Sequence, residues 1–284
     1  MKIVLAEHFG ICFGVRDAIA EAERLAAVGP LTILGELVHN PVVRERLSRR
    51  GVREGSLDAP AKVDARQVMI TAHGASDAKR QAWREAGYAL ADGTCPLVRR
   101  AHEQLRALVA GGYFPIVIGQ RGHVEVQGLI GDFPAAVVIE SLADIVDLPE
   151  EESRFGVISQ TTQPLAQVHA LVAALRAARP KAEVKFFDTV CQPTKNRQDA
   201  LQRLLETCDT IVIVGGRQSN NTRQLVAAAR ARDRLAIHIE RPEELQPEWL
   251  AHSHEVGLTA GTSTLKETVA AVHARLIEIA EAAS

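Results

Sequence analysis

The sequence predicts an α/β protein made of three small, related units, each a parallel sheet covered by helices. Three observations carry that prediction. The 284 residues are 46% hydrophobic but only 4% aromatic, so the core must come from Ala, Val, Leu and Ile, which suits helices packed on buried parallel strands. Short apolar runs alternate with longer segments of helical period. Cys12, Cys95 and Cys191 each stand at the start of a helical segment, and each is followed by the same order of stations.

The elements follow in chain order. Lys2–Ala6 is an apolar strand, and Cys12 opens a helix over Phe13–Ala26. The strand Leu31–Leu34 ends at Gly35, 23 residues after Cys12, and His39 lies at 27. A second strand ends in a polar cluster with His73. Cys95 then opens Pro96–Ala110, where Val98, Ala101, Leu105 and Leu108 share one helical face. The strand that follows ends at Gly119, 24 residues on, with His123 at 28 and a later polar strand end at Thr161. Cys191 opens Pro193–Glu206, and the next strand ends at Gly215, again 24 residues on. Ser219 lies at 28, before a helix over Thr222–Arg232, and the last polar strand end carries Ser263. His73, Thr161 and Ser263 fall 61, 66 and 72 residues after their cysteines, as loops of unequal length would give. The expected units are 12–95, 96–190 and 191–284, joined by the N-terminal strand 1–11.

Composition excludes several classes. Thirty-three basic against 35 acidic residues leave a net charge of −2, which argues against a dedicated nucleic-acid or membrane-surface binder. No run reaches the roughly 18 apolar residues of a membrane span, and the apolar N-terminus is too brief for a signal peptide. The expected location is cytoplasmic. The four cysteines form no C-x-x-C pair, so zinc-ribbon, redox-dithiol and secreted-disulfide readings fail. Cys208 falls on a helical stripe with Leu201, Leu204 and Leu205 and reads as core.

The chemistry-bearing residues sit at strand carboxyl ends, where α/β sheets collect their functional groups. Three equivalent units around an axis would bring three thiolates together. Three thiolates leave one position open, whether they hold an iron–sulfur cluster or a zinc ion. Histidines, hydroxyls and amides near helix N-termini suit a phosphate or diphosphate, although Ser and Asn also make ordinary helix caps and each histidine taken alone reads first as a surface or hydrogen-bonded residue. Glu125, two residues after His123, is a candidate proton donor; its spacing fits a solvated carboxylate equally.

Cys12-Phe-Gly-Val, Val38-His39-Asn40, Ala72-His73-Gly74, Thr94-Cys95-Pro96, Gly122-His123-Val124-Glu125, Ser159-Gln160-Thr161-Thr162, Asn196-Arg197-Gln198 after Cys191, Ser219-Asn220-Asn221 and Ala260-Gly261-Thr262-Ser263 stand in one order. In these motifs the chain resembles the LytB/IspH family, the 4-hydroxy-3-methylbut-2-enyl diphosphate reductases, over essentially its full length. The resemblance implies a trefoil of three α/β units around a [4Fe–4S] cluster held by Cys12, Cys95 and Cys191. It implies reductive removal of the allylic hydroxyl of the diphosphate substrate, giving isopentenyl and dimethylallyl diphosphates, with electrons from a ferredoxin or flavodoxin. It assigns substrate binding to His39, His73, His123, Ser219, Asn220, Asn221 and Ser263, and proton delivery to Glu125 with Thr161. Asn220 stands where the family usually has serine, Val124 and Asp77 where it has proline, Pro193 where it has alanine, and Leu265 where it has proline. A paralogue reducing another small allylic or phosphorylated compound, and a non-redox protein that binds zinc through cysteine or a phosphate ligand, are the alternatives.

Overall fold

Parallel strands buried on both faces need helices on both sides, and the alternation of strands and helices supplies them. The structure, a computed structural model, describes residues 1–60, 63 and 65–282. Its strands are β1 (Lys2–Leu5), β2 (Leu31–Leu34), β3 (Arg53–Gly55), β4 (Gln67–Ile70), β5 (Ala89–Asp92), β6 (Phe114–Ile118), β7 (Val137–Ile139), β8 (Arg154–Ser159), β9 (Glu183–Phe186), β10 (Thr210–Val214), β11 (Leu235–Ile239) and β12 (Glu255–Ala260). Its α-helices are α1 (Phe13–Ala26), α2 (Pro41–Ser48), α3 (Asp77–Glu85), α4 (Pro96–Ala110), α5 (Val124–Ile130), α6 (Leu165–Ala178), α7 (Gln192–Thr207), α8 (Asn220–Arg230) and α9 (Lys266–Ala282). The helices expected after the three cysteines are thus present as α1, α4 and α7. No helix among the described residues is long and apolar enough to cross a membrane.

The strands form three four-stranded sheets, ordered β1-β12-β10-β11, β3-β2-β4-β5 and β7-β6-β8-β9, and every pairing is parallel. The α/β class predicted from composition and periodicity is the observed one. Each cysteine follows an edge strand of a sheet: Cys12 after β1, Cys95 after β5 and Cys191 after β9. The first sheet is therefore closed by the N-terminal strand, although its other three strands come from the C-terminal third of the chain.

The chain forms two compact units. One comprises residues Met1–Arg16, Val38–Arg46 and the chain from Gln192 onward, with the first sheet; the other comprises Asp17–Leu37 and Leu47–Cys191, with the second and third sheets. In the first unit, alternate residues of β10 serve opposite faces. Val212 and Val214 pack with Val269, Val272, Leu276 and Ile279 of α9. Ile211 and Ile213 pack with Leu201, Leu204 and Leu205 of α7 and Leu225 of α8, and Cys208 is fully buried in that cluster, as its stripe position predicts. In the second unit, Ile116 and Ile118 of β6 face α6, while Val117 faces α4 and α5 through Leu105, Leu108, Val126 and Leu129. Trp83 of α3 covers Leu34, Val68 and Ile70 and donates its indole N–H to the Leu57 carbonyl at 2.8 Å, so the largest buried ring leaves no polar atom unmet.

Candidate functional site

The strand ends repeat at the level of single hydrogen bonds. Gly35, Gly119 and Gly215 each donate their N–H to the end of the edge strand beside them, to Gly55, Ile139 and Ile239 at 2.8, 3.1 and 2.9 Å. The cysteine N–H groups repeat as well: Cys12 donates to the Thr262 carbonyl at 3.0 Å, Cys95 to Ala72 at 3.1 Å and Cys191 to Thr161 at 2.9 Å. Each candidate ligand is thus hung on the neighbouring strand's polar end, with its thiol half-buried and free of disulfide. By this register Thr161 matches Ala72 and Thr262. It falls one residue before the position shared by His73, Thr162 and Ser263; the uneven spacing of that station comes from loops of unequal length.

In the first unit, Ser219 caps α8 by accepting from Thr222 N–H. Asn221 accepts from the Thr262 N–H at 3.0 Å. Asn40 divides its amide: its oxygen accepts from Val42 and Val43 at the start of α2, while its Nδ2 donates to the Ser263 carbonyl at 2.7 Å. Gly216 lies so close to the His39 loop that a Cβ there would fall 2.0 Å from the His39 carbonyl oxygen; only glycine admits that approach. His39, Ser219, Asn221 and Ser263 therefore lie on loops tied to one another. Asn221 Nδ2 and Ser263 Oγ are buried and meet no partner among the described residues. Orphaned buried donors of this kind are costly unless a ligand satisfies them, and an anion is what donors bind. Asn220 is buried beside them, with Oδ1 accepting from Gln224.

In the second unit, the rings of His73 and His123 meet edge to face at 5.5 Å, which joins the second and third sheets at their carboxyl ends. His123 caps α5 by accepting the Glu125 N–H on Nδ1 at 3.1 Å. In the neutral ring Nε2 then carries the proton, so the donor side points away from the helix. Glu125 is 2% exposed. Its carboxylate accepts from the Thr161 N–H at 2.6 Å and the Thr161 hydroxyl at 3.0 Å. Burial raises its pKa from 4.5 to about 7 despite the opposing pull of the two Thr161 donors. Of the two readings its spacing allowed, Glu125 is thus not a solvated carboxylate: it is buried, with its pKa raised toward neutrality. Thr161 links that acid to Cys191, since its carbonyl accepts the cysteine N–H.

Some contributors were not singled out from spacing. Gln160, fully buried, accepts on Oε1 from the Gln120 N–H at 3.1 Å and from the Gln163 amide at 2.8 Å, locking the Thr161 loop to the His123 loop. His102 is buried on α4, and burial drops its pKa to about 4. Of the substituted positions, Asp77 opens α3, donates its N–H to Asp132 at 2.7 Å and faces Arg80 and Arg106. Proline there would have no N–H for Asp132. Val124 is exposed at the start of α5, whereas Leu265 is buried.

Comparison with known proteins agrees with this geometry. The family model described as LytB protein matches residues 3–277. The 4-hydroxy-3-methylbut-2-enyl diphosphate reductase of Aquifex aeolicus (strain VF5) is 36% identical, over 99% of this chain and 98% of its own. The reductase of Symbiobacterium thermophilum is 34% identical over 93% of this chain and 92% of its own. Among solved structures, the E-1-hydroxy-2-methyl-but-2-enyl-4-diphosphate reductase from Plasmodium falciparum matches with a TM-score of 0.89 at 26% identity, covering 95% of this chain and 86% of that one. A second, described as the terminal enzyme of the non-mevalonate pathway, matches with a TM-score of 0.69 at 34% identity, covering 98% of this chain and all of the other.

Proposed function

The chain belongs to the LytB family, and on that premise we propose that it is an iron–sulfur reductase that removes the allylic hydroxyl of 4-hydroxy-3-methylbut-2-enyl diphosphate. The products are isopentenyl and dimethylallyl diphosphates, and the reaction consumes two electrons and two protons and releases water. Cys12, Cys95 and Cys191 hold a [4Fe–4S] cluster. The donor set fits such a group: three soft thiolates at equivalent strand ends, each on a loop fixed through its own N–H. When bound, the cluster supplies electrons and a Lewis-acidic iron. A ferredoxin or flavodoxin delivers those electrons, and the enzyme works in the cytoplasm.

The chain's own residues supply binding and protons. His39, His73, His123, Ser219, Asn220, Asn221 and Ser263 bind the diphosphate; the unmet Asn221 Nδ2 and Ser263 Oγ are donors that its oxygens satisfy. Glu125 protonates the departing oxygen, takes up a second proton from solvent and passes it to the allyl fragment, with Thr161 holding the carboxyl in place through its N–H and hydroxyl. The observation that carries the reading is this buried, near-neutral acid, tied through a single threonine to the loop of a candidate ligand. Anaerobically purified protein given the allylic diphosphate and reduced viologen should oxidise the viologen and form the two five-carbon diphosphates. Viologen oxidation absent from a protein that carries its cluster would overturn the substrate assignment.

A further inference from the structure

Among the described residues, two arginines are buried, Arg80 at 8% exposure and Arg197 at 6%. A buried guanidinium is expensive to place, and packing alone at these positions would be met by leucine or methionine. Both side chains instead hold groups close to candidate ligands: Arg80 on two loops, Arg197 on one loop and on the first turn of its own helix. On α3, Arg80 Nη1 donates to the Ala75 carbonyl, two residues beyond His73. Its Nη2 donates to the Thr94 hydroxyl at 3.2 Å, one residue before Cys95, and its Nε lies 3.3 Å from Asp92. Thr94 is held from its other side, since its N–H donates to Asp92 Oδ1 at 3.0 Å.

Arg197 repeats the arrangement on α7. Its Nη1 donates to the Pro193 carbonyl at 2.6 Å, two residues beyond Cys191. Its Nη2 donates to the Gly10 carbonyl, two residues before Cys12. Gly10 sits at φ +69, a left-handed turn that glycine tolerates and that needs an external hold to stay in one geometry. Its N–H is taken by Ala260 at 3.2 Å, and Arg197 takes its carbonyl. In both cases a planar fork spans two acceptors on separate stretches of chain, which a lysine ammonium on its flexible stem does not reproduce.

We infer that Arg80 and Arg197 are positioning residues for the metal centre: Arg80 sets the loops of His73 and Cys95, and Arg197 sets those of Cys12 and Cys191. The inference rests on the proposed role of the three cysteines. Its test uses Arg80→Lys and Arg197→Lys, which keep the charge and remove the fork. Arg179→Lys is the control, because Arg179 donates to the Leu148 carbonyl at 2.8 Å, on segments that carry no candidate ligand. Holoprotein purified without oxygen is mixed with an iron chelator, and loss of the cluster absorbance is timed. The melting temperature of the metal-free chain and the electron paramagnetic resonance spectrum of the reduced holoprotein are recorded alongside.

Each of the two Lys variants should lose iron about tenfold faster than wild type, the scale of one charge-assisted hydrogen bond, and show an altered spectrum. The melting temperature of the metal-free chain should stay close to wild type, and Arg179→Lys should behave as wild type throughout. Should a Lys variant fail to accumulate, Thr94→Val decides, since it removes an acceptor of Arg80 and should speed iron loss in the same way. Wild-type iron retention and spectrum in the variants would overturn the inference, as would losses matched by an equal loss of stability in the metal-free chain. Wild-type protein that carries no iron–sulfur cluster would overturn the proposed function instead.

Discussion

Glu125→Gln tests whether the buried acid behaves as its surroundings dictate. Raising a carboxyl from 4.5 to about 7 corresponds to roughly 3 kcal/mol of penalty on its ionised form. The unfolded chain ionises Glu125 near 4.5, while the folded chain holds the proton up to about 7. Between those values the folded state binds more protons, so wild-type stability is complete below the lower value and is lost as pH rises through the upper one. Glutamine does not ionise and escapes that loss. It offers one acceptor oxygen where the carboxylate meets two Thr161 donors, a cost of about 1 kcal/mol that is independent of pH. Urea unfolding of the metal-free chain at pH 4.5 and pH 8.5 should therefore show the difference between variant and wild type moving by roughly 3 kcal/mol toward the variant. In the holoenzyme, wild-type turnover should fall about tenfold per pH unit above about 7, and Glu125→Gln should lower it by about 10²–10⁴ below that value, a deficit that narrows as pH rises, while leaving iron content and substrate affinity unchanged. A stability difference that does not move with pH, or turnover that survives the substitution, would refute the assignment of Glu125.

Cys12→Ser, Cys95→Ser and Cys191→Ser should each lose most of their iron and activity, whereas Cys208→Ala, in the core of the first unit, should keep both; iron analysis beside turnover separates them. His39→Ala and His73→Ala should keep the metal and weaken substrate binding by about 1–3 kcal/mol each, the value of a charge-assisted hydrogen bond, as calorimetry would record. His102, held neutral by burial down to about 4, should cost the fold roughly 3 kcal/mol as pH falls from 6.5 to 4, because the unfolded imidazole takes a proton that the folded one refuses. His102→Gln should flatten that acid limb in unfolding experiments.

Much of this was legible from residue order. Strand ends and helix starts follow from apolar period and from cysteine spacing, and the three helices after the cysteines lie where the pattern puts them. The burial of His102 follows from the same period: it stands four residues after Val98 and three before Leu105, on the buried stripe. The roles of Arg80, Arg197 and Asn40 were not legible. Each acts by holding a backbone carbonyl, distant in sequence for Arg197 and Asn40 and close by for Arg80, and a carbonyl leaves no trace in residue identity. The register of Thr161 was hidden for a related reason: it is defined by the Cys191 N–H, not by a fixed count along loops of unequal length.

The central claim is that three equivalent cysteines hold a four-iron cluster with one iron left to the substrate. Mössbauer spectroscopy of the iron-57-enriched holoprotein tests it directly. Three thiolate ligands predict three similar irons and one distinct iron, with the distinct signal alone changing when the allylic diphosphate is added. Four equivalent irons indifferent to the diphosphate, or a protein that holds zinc in place of iron, would contradict it.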